Sequence, residues 1–171
     1  MTDASSKAVN DAAAPFINWH RDTYLSTGGA EGHIVDVTSA GGHAFSTHLL
    51  LKTIGRKSGK TYFTPLTYGD IGGEVAIIAS KAGADHNPDW FENLRARPEV
   101  EFQIATQAFR ATWREPEGEE YQKIWDFMVD GFPFYASYQS STSRKIPLVV
   151  MKAIEPIPVF KESDATGLRQ Y

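Results

Sequence analysis

The chain has 171 residues, 42% apolar and 22% charged, the balance of one ordinary globular domain that buries its own core, not of a disordered chain. Its net charge of −4 argues against a general nucleic-acid binder, which needs a basic face, and the absence of cysteine excludes a disulfide framework and a thiolate nucleophile. No apolar run reaches bilayer length, and the opening residues hold no hydrophobic signal region, so the chain reads as cytoplasmic.

Residues 1–14 are small and polar and read as a flexible leader to a single domain over 15–171. Whether that leader touches a membrane surface or covers a pocket stays open. From Pro15 to Tyr24, Phe16, Ile17, Trp19 and Tyr24 can line one helix, which Gly28-Gly29 would end. Ile34, Val35 and Val37 suggest a short strand or covering segment. Strands are then expected over Thr47–Thr53, Tyr62–Tyr68 and Glu74–Ser80, the last two as a hairpin around Gly69-Asp70-Ile71-Gly72-Gly73. The continuous apolar run at the centre of the third marks a strand buried on both faces.

Asn87 can cap a helix with Pro88 in its first turn, and Pro98 would stop it. Val100, Phe102 and Ile104 alternate, as do Phe109, Ala111 and Trp113, predicting a second hairpin. Tyr121, Ile124, Trp125 and Met128 fall on one helix face. An aromatic stretch from Phe132 to Tyr138 leads to a last strand over Pro147–Ala153. About six antiparallel strands with three to four helices between them, and connections too short for parallel crossovers, predict a small closed or half-closed barrel.

The strongest local signal is the turn Gly55-Arg56-Lys57-Ser58-Gly59-Lys60. Its glycines let the backbone fold tightly, and three cations beside a hydroxyl would cradle a phosphate or carboxylate. A solvated basic hairpin turn would look the same. Ser80-Lys81-Ala82-Gly83-Ala84, released at the end of the most buried strand, would grip another part of an anionic ligand, or would simply connect strand to helix. The helix start at Asn87, Pro88 and Trp90 either helps hold an anion or only caps the helix. Phe132-Pro133-Phe134-Tyr135-Ala136-Ser137-Tyr138 follows neither period and suits an aromatic wall over a flat ring, or a packed plug. The five histidines show no metal-binding spacing, so no metal is expected, and no serine sits in a nucleophile elbow.

Taken together these pieces resemble the deazaflavin-dependent nitroreductase family, a branch of the split β-barrel flavin and deazaflavin oxidoreductases. The resemblance runs from Leu49 to Val150. It rests on Gly55-Arg56-Lys57-Ser58-Gly59, Thr64-Pro65-Leu66, Ala79-Ser80-Lys81-Ala82-Gly83-Ala84, Asn87-Pro88 with Trp90 and Asn93-Leu94, Pro98-Glu99-Val100, and Tyr135 with Tyr138-Gln139, Arg144 and Ile146-Pro147. It implies a split β-barrel and the deazaflavin coenzyme F-420 as hydride donor, with riboflavin monophosphate (FMN) as the alternative cofactor of the same fold. By this likeness Arg56, Lys57 and Ser58 contact the coenzyme's phosphate and acidic tail. Tyr62 stands where many members carry an arginine near the tail, which implies either a lower affinity for the tail or that Lys60 holds it. Ser80, Lys81, Ala82 and Gly83 lie along the ring and its chain, with Pro65, Asn87, Pro88 and Trp90 in the same groove. Tyr135 and Tyr138 border the acceptor pocket, and a hydroxyl of Tyr135, Tyr138 or Ser80 would stabilise or protonate the acceptor. The implied activity is hydride transfer to an enone, quinone or nitro-aromatic small molecule, by a monomer or homodimer. A coenzyme carrier without turnover is the rival outside enzymes.

Overall fold

The computed structural model describes residues 3–167, and for residues 3–10 only their place in a helix. That helix, α1, runs from Asp3 to Ser26 with Pro15 inside it. It begins well before Pro15, where the sequence reading placed its start, and takes in most of the expected leader. The Ala12-Ala13-Ala14 run favours helix strongly, and α1 packs inward through Ala13 and Ile17.

Eight strands follow: β1 (Ile34–Val35), β2 (Ser46–Ile54), β3 (Thr61–Thr67), β4 (Gly69–Ile71), β5 (Glu74–Ile78), β6 (Glu99–Ile104), β7 (Gln107–Arg114) and β8 (Leu148–Ile157). Between them stand α2 (Asp89–Arg95), α3 (Gly118–Gly131) and α4 (Phe134–Ser140). Every paired strand is antiparallel, in the order β1-β2-β6-β7-β8-β5-β4, with β3 also against β2. The expected hairpin between the second and third long strands is not what forms. β3 pairs with β2 through Leu50↔Pro65 and its neighbours, while β5 turns back on the short β4 across Gly72-Gly73. Both glycines have positive φ, 70° and 89°, as tight hairpin turns of the primed types demand. The chain bends at Tyr68, so β3 and β4 lie at opposite ends of the sheet order. The sheet therefore curls into a half-barrel whose ends are joined through the chain.

Alternation along the strands sorts the core into two faces. Leu49, Leu51, Ile77, Phe102, Val149 and Met151 point inward, where Trp90, Phe91 and Leu94 of α2 close one end. Ala76, Ile78, Leu148 and Val150 point outward and are covered by Tyr121, Ile124 and Met128 of α3 and Tyr135 of α4. β5 is thus covered on both sides, which is why its sequence is apolar at consecutive positions. Burial contributes about 1.5–3 kcal/mol for each such side chain. The Tyr24 hydroxyl pins α1 to the sheet: it accepts from the Ala105 amide at 2.6 Å and points its hydrogen at the Gln103 carbonyl at 3.1 Å.

Candidate functional site

A cavity of about 200 Å³ opens between β3, the end of β5, the start of α2, and α4. Thr64, Pro65 and Leu66 form one wall, and Phe134, Tyr135 and Tyr138 of α4 form the facing one. Ile78 and Ser80 lie at its base; Lys81, Ala82, Pro88 and Trp90 complete the lining. Ala13 and Ile17 bring α1 over it. Eight of the residues singled out in the sequence, drawn from four separate segments, therefore share one chamber. Trp90 serves both readings, since it lines the cavity and is 2% exposed within the core.

Gly83 and Asn87 stand behind this chamber rather than on it. Gly83 (φ 80°) lets the loop lie directly on α4, where a Cβ would come within 2.8 Å of the Tyr138 carbonyl oxygen. Asn87 does not cap α2; Pro88 occupies the cap position. The Asn87 amide instead donates to Glu92 at 3.0 Å and its oxygen accepts from Arg144 at 2.9 Å.

The basic turn joins β2 to β3 and is closed by the Gly59 amide donating to the Gly55 carbonyl at 2.8 Å. Its cations are not equivalent. The Arg56 guanidinium donates to Asn93 at 2.9 Å and reaches Asp89 at 3.4 Å, so it ties the turn to α2. The Ser58 hydroxyl is engaged inside the turn, accepting from the Lys60 amide at 3.2 Å and lying 3.3 Å from the Tyr62 hydroxyl. Lys57 and Lys60 are exposed, and among the described residues no carboxylate pairs with either. β3 leads from these lysines to the cavity: Lys60 to Thr64 spans about 13 Å at the rise of an extended strand. A flat group in the chamber with an anionic arm along β3 would meet both features.

Both phenols in the chamber are held protonated. Burial pushes the Tyr135 hydroxyl far above the ordinary tyrosine value, and the Thr67 hydroxyl hydrogen-bonded to it offsets only part of that. Burial raises Tyr138 as well. Tyr138 is therefore a hydroxyl able to donate to negative charge. Behind Tyr135 lies an arrangement the sequence reading missed, because histidine spacing there carried no motif. Thr67 Oγ1 is 3.1 Å from His48 Nε2, and His48 Nδ1 is 3.1 Å from the Ser46 carbonyl. A carbonyl only accepts, so Nδ1 carries the hydrogen and Nε2 accepts from Thr67. The ring of His20 stands edge-on 4.8 Å away, its Nε2 donating to the Gly32 carbonyl. Burial and the neighbouring His20 lower His48 to about 4, which keeps it neutral.

A family model described as F420H(2)-dependent quinone reductase matches residues 20–153. A protein of Mycobacterium tuberculosis H37Rv named F420H(2)-dependent quinone reductase is 34% identical over 152 residues, covering 87% of this chain and 97% of that protein. Among solved structures, an F420-H2 dependent reductase (FDR-A) superposes with a TM-score of 0.57 at 38% identity, over 61% of this chain and 93% of its own. A domain-swapped dimer gives a TM-score of 0.58 at 36% identity, over 66% of this chain and 86% of its own.

Proposed function

Because this chain belongs to the F420H(2)-dependent quinone reductase family, we propose that its cavity seats the ring system of reduced coenzyme F-420 and that Lys57 and Lys60 hold the anionic arm. The protein is an oxidoreductase that uses reduced F-420. The observation that carries the site assignment is the pairing of an aromatic-walled chamber with two cations at the far end of β3 that no carboxylate neutralises among the described residues. The chamber's 200 Å³ is too small for the whole coenzyme; pockets that enclose a whole drug-sized ligand hold about 300–1,000 Å³. The ribityl-like chain and acidic tail then lie along the open groove beside β3.

The acceptor is a quinone, bound flat against the Tyr135 and Tyr138 rings. Bound in its reduced form, the coenzyme supplies a hydride. The chain's part is placement, exclusion of water and charge. Pro65, Ala82 and Trp90 confine the ring between apolar surfaces, and Ala13 and Ile17 of α1 add to that lining. Negative charge that develops on a quinone oxygen meets the Tyr138 hydroxyl, which keeps its proton at neutral pH, while the Tyr135 hydroxyl donates to Thr67, which in turn donates to His48. The Ser80 hydroxyl is a second donor at the base. No helix among the described residues is long and apolar enough to cross a membrane. The assembly we favour is a homodimer, on the ground that a 36% identical relative is a domain-swapped dimer.

Titration of the purified protein with F-420 and with FMN, followed by turnover of a water-soluble naphthoquinone with reduced F-420, tests this reading. Tighter binding of F-420 and quinone reduction are expected. Preference for FMN would overturn the coenzyme assignment, and binding without reduction of any quinone would favour a carrier.

A further inference from the structure

The loop that follows β5 has an unusual backbone. Lys81 (φ 46°), Ala82 (φ 53°) and Gly83 (φ 80°) are three consecutive residues in the left-handed region. Glycine adopts that region freely, but lysine and alanine resist it, because Cβ crowds the following carbonyl. Two amides close the turn, Gly83 onto the Ser80 carbonyl at 3.0 Å and Ala84 onto the Lys81 carbonyl at 3.1 Å. The Lys81 ammonium also lies 3.0 Å from His86 Nε2.

Arg144 adds a restraint from outside the turn. Its Nε donates to the Ala84 carbonyl at 2.6 Å, Nη1 to Asn87 Oδ1 at 2.9 Å, and Nη2 to the Ser80 carbonyl at 2.8 Å and the Ala79 carbonyl at 3.3 Å. The acceptors bracket the left-handed run on both sides. The guanidinium is partly buried, and no carboxylate lies within ion-pair distance of it among the described residues. A buried arginine usually faces an acid; this one spends its rigid fork on neutral oxygens of a single loop. Its own backbone is fixed in turn by Gln139, whose Nε2 donates to the Arg144 carbonyl at 2.8 Å and whose Oε1 accepts from the Ile146 amide at 3.0 Å. Gln139 belongs to α4, which also carries Tyr135 and Tyr138. Arg144 therefore sets one wall of the chamber against the other.

We infer that Arg144 is a positioning residue for the coenzyme, holding Ser80–Ala84 in the left-handed turn that presents Ser80, Lys81 and Ala82 to the chamber. This rests on the reading that the chamber seats the coenzyme's ring. Arg144 does not line the chamber and acts through the loop.

Arg144→Lys keeps the charge but has no planar fork to span four acceptors, so its effect reports geometry. Two measurements separate this inference from the functional assignment. Hydrogen exchange on the protein without coenzyme should show faster exchange at the Gly83 and Ala84 amides in Arg144→Lys, while protection of β5 and β8 stays as in the parent. Titration should show F-420 affinity lowered about tenfold, the loss expected from releasing left-handed non-glycine residues. The quinone KM at saturating coenzyme should be unchanged. Ala82→Gly removes one source of that resistance. It should recover several-fold of the affinity in the Arg144→Lys background, beyond whatever change it makes in the parent. Should Arg144→Lys not fold, Asn87→Ala removes one of the four acceptors and should move the same two readouts in the same direction by less. Unchanged exchange and affinity, or an Ala82→Gly effect equal in both backgrounds, overturns the inference. Faster loop exchange in a protein whose parent form binds no F-420 would instead leave the staple standing and sink the coenzyme assignment.

Discussion

Acid should destabilise this protein through His48 in particular. His48 is 6% exposed, with His20 beside it, His33 further off, and only a carbonyl and a hydroxyl on its nitrogens. Its value falls from 6.5 to about 4 on folding, chiefly through burial and secondly through His20. Between those two values the unfolded chain takes up a proton that the folded chain refuses. Stability is thus fully present above about pH 6.5 and falls as pH drops toward 4, by about 1.4 kcal/mol per pH unit and about 3 kcal/mol in all. His20 is lowered as well, by burial, and adds in the same direction. Against a typical total of about 5–15 kcal/mol this is a large fraction. Urea unfolding at several pH values from about 7.5 to 4 should be compared for the parent and His48→Asn, whose amide can still donate to the Ser46 carbonyl. The variant starts less stable because Thr67 loses its acceptor, but its curve against pH should be flatter by about 3 kcal/mol. Carboxylates titrate alike in both proteins and cancel in the difference. Parallel curves over the whole range would refute the argument.

Two further outcomes are expected. Gly29→Ala should cost roughly 3 kcal/mol or more, since φ is 84° and the new Cβ would lie 1.8 Å from the Ala105 carbonyl oxygen; Gly28→Ala, whose Cβ would meet nothing nearer than 4.0 Å, should cost about 1 kcal/mol, and chemical denaturation separates them. Lys57→Ala should weaken F-420 binding roughly tenfold, less so at high salt, with quinone preference retained, whereas Tyr138→Phe should leave F-420 affinity within about twofold and lower kcat; equal effects of both variants on affinity would contradict the division between anchor and chamber.

Much of the architecture follows from local pattern. The alternation in β6 and β7, the one-sided apolar spacing of α3 and the two-sided apolar run of β5 each state how a segment must be buried, and burial is what selects its conformation. The basic turn was legible for the same reason, since glycines and adjacent cations act over a few residues. What local pattern could not determine was pairing and approach. Nothing in Tyr62–Ser80 announces that the chain bends at Tyr68 and sends β3 and β4 to opposite ends of the sheet, because a strand's partner is chosen by packing across the whole barrel. The Ala-rich start of α1 has helix propensity, but its place over the cavity depends on contacts with residues far along the chain. Arg56 and Lys57 look alike in sequence; only the tertiary structure commits Arg56 to Asn93 and Asp89 and leaves Lys57 without an acid partner among the described residues. His48, Thr67 and Tyr135 meet in the same way, and so do Arg144 and Ser80–Ala84, 60 or more residues apart. Composition and periodicity determine which surfaces each segment must hide. Which distant groups then share a hydrogen bond is decided only when those surfaces close on one another.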